Sequence, residues 1–175
     1  FNLNVKLTEN PDEIRKSDLV ILPGVGSFGA AKNSLDYLGL SDALKHRIDS
    51  DQPTLGICLG FQLLTESSEE SKTSFGLGIF PASTIRMGSK AEVGWKETGN
   101  LSGSSLNQAI YFFNHTYGVL SNRNEFESVQ IPGTNFISHA RLSMLVGVQF
   151  HPEKSQESGR IFIEDCLTKI WRIGI

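Results

Sequence analysis

Twice in its first half the chain runs through a short apolar stretch that stops at a glycine-rich turn and gives way to a helical pattern. Leu19-Val20-Ile21-Leu22 ends at Pro23-Gly24-Val25-Gly26, and Thr54-Leu55-Gly56-Ile57 ends at Cys58-Leu59-Gly60. A continuous apolar run this short reads as a strand covered on both faces, which is the habit of parallel sheets. Strands alternating with helices imply parallel pairing in an α/β architecture. Helix-start chemistry stands at Asn10-Pro11-Asp12-Glu13, with a cap residue followed by proline. Leu3 to Leu7 alternates apolar and polar residues and reads as a strand, the stretch after Gly26 as a helix broken near Gly39, and Leu59 to Glu66 as a helix.

The second half has another texture. Ile79 to Ile85, Ala109 to Phe113, Glu127 to Ile131 and Asn135 to Ala140 are short strand-like runs between turn residues, which reads as an antiparallel β insertion rather than a second domain. Met144 to Phe150 returns to a buried strand, and Ser155 to Arg172 reads as a last helix with Ile161, Phe162, Cys166, Ile170 and Trp171 on its apolar side. The expected fold is a three-layer α/β domain over residues 1–175, a mostly parallel sheet with helices on both faces plus that insertion.

The 175 residues suffice for one domain with a real core. A net charge of −3 leaves no basic face for nucleic acid or an anionic membrane. No apolar run approaches the ~20 residues that span a bilayer, and no signal-peptide pattern is present, so a cytoplasmic protein is expected. Cys58 and Cys166 form neither a metal-type spacing nor a disulfide framework. No metal and no cofactor is expected. The chain begins at Phe1, with methionines only at 87 and 144, which reads as a fragment or a processed chain.

Gly56-Ile57-Cys58-Leu59-Gly60 is a G-x-C-x-G segment between strand and helix, the thiol counterpart of a nucleophile elbow. Such a turn stands the thiol at a helix N-terminus, where the dipole and free N–H groups favour thiolate, and the N–H after it can meet a developing oxyanion. Cys166 has no such setting and reads as a small buried hydrophobe. His151 ends a buried strand and is followed by Pro152, which biases it toward an extended backbone. His151 and Glu153, two apart, can then point the same way, as a base and its orienter. His46 reads as solvated and His139 as a plain strand residue. Gly24-Val25-Gly26-Ser27-Phe28-Gly29 matches the dinucleotide fingerprint G-x-G-x-x-G. The acidic residue that should end the next strand is missing, because Cys58 stands there. A loop of exposed N–H groups beside a nucleophile suits half an oxyanion hole better.

Together, Leu22 to Gly29, Gly56 to Leu64 and Gly147 to Ser155 resemble class I glutamine amidotransferases. The wording Pro23-Gly24-Val25-Gly26-Ser27-Phe28, Glu66-Ser67-Ser68-Glu69-Glu70 and His151-Pro152-Glu153-Lys154-Ser155 is similar to the glutaminase subunits of imidazole glycerol phosphate synthase. The resemblance implies a triad of Cys58, His151 and Glu153, oxyanion donors at Leu59 and Val25 after rearrangement of the Gly24–Gly26 loop, and glutamine held by Gln62, Glu70, Thr116 and Tyr117. It implies a heterodimer with a (β/α)8 cyclase that receives ammonia for histidine biosynthesis, with Lys154 and Trp95 toward that partner. It also implies an upstream strand–helix unit that this chain is expected to lack. Family members read H-[MI]-G-W-N and F-V-H-S-Y where this chain has Glu92-Val93-Gly94-Trp95-Lys96 and Phe113-Asn114-His115-Thr116-Tyr117. Paralogues that supply ammonia for surface-polysaccharide sugar amidation are therefore the alternative. A related-fold thiol hydrolase and a nucleotide-binding module stand behind it.

Overall fold

The computed structural model describes residues 3–106 and 108–174. Leu3 to Leu7 is not a strand: Val5 and Leu7 are 84% and 96% exposed, and Lys6 instead reaches Glu13 at 2.6 Å. Alternation makes a strand only where a neighbouring edge accepts its hydrogen bonds, and this segment has none. Helix α1 (Pro11–Lys16) starts as its sequence dictates, with the Asn10 side chain accepting from Asp12 N and Pro11 opening the first turn. Strand β1 (Val20–Leu22) follows, then α2 (Phe28–Tyr37), a left-handed Gly39, α3 (Leu40–Asp49) and β2 (Thr54–Ile57).

The helix after Cys58 is short. Helix α4 spans Leu59–Leu63, and Thr65–Ser68 forms β3 instead of continuing it. Thr65, Ser67 and Ser68 are weak helix formers. They are taken up by a ladder, with β4 (Ser71–Phe75) on one side and β5 (Phe80–Arg86) on the other. The remaining elements are β6 (Glu92–Gly99), β7 (Gln108–His115), β8 (Tyr117–Leu120), β9 (Glu127–Gln130), β10 (Ile137–Leu142), β11 (Leu145–Val148) and α5 (Gln156–Asp165), which runs into a wider turn over Cys166–Ile170.

One mixed sheet organises the chain in the order β1-β2-β11-β10-β8-β5-β3-β4, with β9 beside β10. Strands β1, β2 and β11 are parallel, as are β3 and β5, whereas β8, β9 and β10 run antiparallel to their neighbours. The antiparallel strands of the second half thus mostly extend the main sheet, whereas β6 and β7 pair apart from it. Period-2 alternation along β11 sends Leu145 to one face and Val146 and Val148 to the other. On the first face α2, α3 and α4 contribute Phe28, Leu44 and Phe61, and on the second α5 and β7 contribute Phe162, Tyr111 and Phe113. This is the expected three-layer arrangement.

His139 of β10 is fully buried, its ring between those of Tyr111, Phe150 and Phe162, and its Nε2 has no partner. Burial pushes its pKa down to about 3, and burial likewise pushes that of His115 down to about 4. Both are therefore neutral when folded and take up protons on unfolding. Stability from both is complete above the ordinary value of 6.5 and falls as pH drops toward 4. Urea titrations should show a loss of about 1.4 kcal/mol per pH unit for each histidine in that window, and His139→Leu should remove about half the slope.

Candidate functional site

The site lies where the parallel strands β2 and β11 end side by side. Ile57 pairs with Val148, and the Cys58 N–H donates to the Val148 carbonyl at 2.7 Å. The chain after β2 therefore delivers Cys58 next to the chain that delivers His151, as expected at the carboxyl ends of a parallel sheet. Cys58 has φ 53° and ψ −108°, a conformation that costs a non-glycine residue about 1–3 kcal/mol. It holds the thiol at the N-terminus of α4. The preceding loop packs onto the same turn: a Cβ at Gly24 would stand 2.7 Å from Leu59 Cβ, and Gly26 adopts φ +108°.

His151 is held at its backbone by three partners. Its N–H donates to Phe112 O at 2.8 Å, and its carbonyl accepts from Ser155 Oγ at 2.6 Å and Lys154 N at 3.0 Å. Ser155 Oγ in turn accepts from Phe112 N at 2.9 Å, which ties β7 to this loop. Glu153 Oε1 lies 2.7 Å from His151 Nδ1. The spacing of two does bring them together, through a tight turn over Pro152–Lys154 rather than a continued strand. Because a carboxylate only accepts, Nδ1 carries the hydrogen, and Nε2 is left free as a base. The imidazole is buried while the Glu153 side chain is 54% exposed.

A cavity of about 260 Å³ gathers most of the predicted residues. Gly24, Val25, Gly26 and Leu59 line one side with Cys58; Gln62 and Glu70, Thr116 and Tyr117, and His151 with Lys154 line the rest. Glu153 stands behind His151 rather than in the cavity. Trp95 is also outside it, half-exposed on β6 and edge-on to Phe112, whose ring lies 5.9 Å from the Lys154 ammonium. Glu70 accepts from Phe28 N at 3.0 Å and so caps α2. A second cavity, about 360 Å³, lies at the opposite end of the strands, where Asp51 precedes β2 and Ser143 precedes β11. None of the predicted site residues lines it.

Burial pushes the Cys58 thiol up to about 11, and nearby Glu153 adds to this, while the Leu59 N–H, Gln149 and Lys154 pull the other way. Cys58 therefore rests as a thiol at neutral pH. Burial also raises Cys166, and nearby Asp165 adds to this. One side chain at the thiol and one on the cavity wall carry no site role in the sequence reading. Gln149 Nε2 lies 3.6 Å from Cys58 Sγ. His115 donates from Nδ1 to Tyr117 O at 2.8 Å, leaving Nε2 buried without a partner. The partners of Gln149 are 87 and 91 residues away in sequence, so nothing local announces them.

Residues 1–170 match the family model described as "Glutamine amidotransferase class-I". The chain belongs to the class I glutamine amidotransferases. It is 34% identical over 173 residues to imidazole glycerol phosphate synthase subunit HisH of Pyrococcus furiosus, covering 91% of this chain and 86% of that one. HisH of Aquifex aeolicus is 39% identical over 167 residues, covering 88% and 79%. A crystal structure of a glutamine amidotransferase superposes with a TM-score of 0.74 at 17% identity, covering 94% of this chain and 87% of that one, a likeness of fold. Among the described residues of this family member, no helix is long and apolar enough to cross a membrane.

Proposed function

We propose that this amidotransferase is the glutaminase subunit of imidazole glycerol phosphate synthase, hydrolysing glutamine to glutamate and ammonia through Cys58, His151 and Glu153. The carrying observation is the strained Cys58 turn opening into the same cavity as a buried, carboxylate-oriented His151. His151 Nε2 takes the thiol proton, and the sulfur attacks the side-chain carbonyl carbon of glutamine. The N–H groups of Leu59 and Val25 hold the resulting oxyanion, the latter after the Gly24–Gly26 loop rearranges. The same imidazole returns the proton to the amide nitrogen, the C–N bond breaks, and ammonia leaves. A water deprotonated by His151 then cleaves the thioester to glutamate. Gln62, Glu70, Thr116 and Tyr117 surround the substrate's amino-acid end.

The relatives named HisH support the histidine-pathway reading. The partner is a (β/α)8 cyclase seated over the outer face of the β6–β7 pair, where Val93, Trp95 and Ile110 are 64%, 48% and 52% exposed. Lys154 stands between that face and the cavity, above the Phe112 ring. On the same reading the enzyme works in the cytoplasm, whose reducing conditions keep Cys58 a thiol.

An electrophilic glutamine analogue tests the assignment. Mass spectrometry should find one adduct at Cys58, prevented by excess glutamine, with Cys166 unmodified because it is buried in the second core cluster. An adduct at Cys166 with Cys58 untouched overturns the reading.

A further inference from the structure

We propose that Gln149 is a positioning residue for the nucleophile: its side-chain amide donates to Cys58 Sγ, sets the rotamer of the sulfur and stabilises the thiolate when it forms. This rests on the reading of Cys58 as the nucleophile.

The direction of the contact follows from a chain of amides. Gln62 approaches Tyr117 O at 2.7 Å, and a carbonyl only accepts, so the Gln62 atom facing it is Nε2. That same Nε2 lies 3.1 Å from a Gln149 side-chain atom, which must then be the acceptor Oε1. Gln149 is left with only its Nε2 to offer the sulfur, at 3.6 Å. The ambiguity of amide orientation is thereby removed by the Tyr117 carbonyl at the far end. Both glutamines are buried, Gln149 fully.

The placement of Gln149 comes from the sheet. Its N–H donates to Ser138 O of β10 at 2.7 Å, directly after β11 ends, and Phe150 next to it is locked in the aromatic cluster. The donor thus stands on a rigid strand end, held on one side by β10 and on the other by Gln62. A fixed donor beside a forming anion needs no reorganisation at the moment of reaction. Among the charged groups around the sulfur, Glu153 disfavours the thiolate and Lys154 favours it. Gln149 adds a favourable dipole without charge, leaving His151 free as the base.

Two substitutions separate this role from a structural one. Q149E is nearly isosteric and keeps an oxygen for Gln62 while replacing the donor to sulfur with an acceptor. Q149M removes both contacts. The readout is the rate of Cys58 alkylation by iodoacetamide between about pH 7 and about pH 9. Q149M should be about tenfold slower than the unmodified protein at each pH, and Q149E slower still, because losing a hydrogen bond to a charged group is worth about one unit or more of thiol pKa. In Q149E, kcat for glutamine should fall about tenfold or more with KM within about twofold, since Gln62 keeps its acceptor. Q149E alkylating at the unmodified rate overturns the proposal, whether or not Q149M is slow, since Gln149 would then only anchor Gln62. Labelling of the buried Cys166 reports unfolding in either variant, and Q149E alone decides if Q149M unfolds. Failure of the nucleophile reading shows separately, as glutamine hydrolysis that survives Cys58→Ala.

Discussion

Cys58→Ala is expected to lower glutamine hydrolysis by about 10⁴-fold or more, with the melting temperature nearly unchanged. The covalent route needs the sulfur, and no other thiol can replace it, because Cys166 lies in the second core cluster. Alanine inherits the same φ of 53°, so the strain stays in the turn and stability has little reason to rise. Cys58→Gly should be equally inactive yet more stable by about 1 kcal/mol, since glycine adopts that backbone without cost. The pair of variants separates chemistry from strain. A glutaminase assay beside urea unfolding of the three proteins checks it. Residual activity within about tenfold of the parent in Cys58→Ala would exclude Cys58 as the nucleophile.

Gly60→Ala is expected to destabilise the fold strongly and to remove most of the activity. A Cβ at Gly60 would lie 1.9 Å from Leu22 O and 2.8 Å from Leu22 C, atoms of the β1 backbone that no side-chain rotation can move aside. Relief requires α4 to withdraw from β1, and overpacking of this sort costs about 3 kcal/mol or more, against a total stability of about 5–15 kcal/mol. The same shift pulls the Leu59 N–H away from the Gly24–Gly26 loop, so any folded fraction should hydrolyse glutamine poorly. Gly88→Ala, with no atom within 4 Å of the new Cβ, is the control and should change stability by under about 0.5 kcal/mol. Equal urea midpoints for Gly60→Ala and the parent would show that the close approach is not a constraint.

Much of this architecture was legible in the residues because its signals are local. The Asn10-Pro11 helix start, the apolar strands before Pro23 and Cys58, and the meeting of His151 with Glu153 each depend on neighbours within a few positions. Local sequence misled where pairing outweighs propensity. Leu3 to Leu7 alternates but has no strand beside it, and Thr65 leaves the helical pattern because β5 offers a ladder. That the antiparallel strands join the main sheet was equally hidden, since nothing within β10 states that it pairs with β11.

The sequence by itself singled out the candidate side chains: a thiol on a glycine-flanked turn, and an imidazole with a carboxylate two residues on. Those are facts of covalent spacing and turn geometry. Only the tertiary structure decided what surrounds them. Register between β2 and β11 sets Val148 against Cys58, and so brings Gln149 to the sulfur across 91 residues of chain. The folding of β8 beside β5 and β10 brings the Tyr117 carbonyl to Gln62 across 55. Such contacts arise from burial, where a polar group must find a partner among whatever the sheet places within reach. A pattern read along the chain carries no record of them.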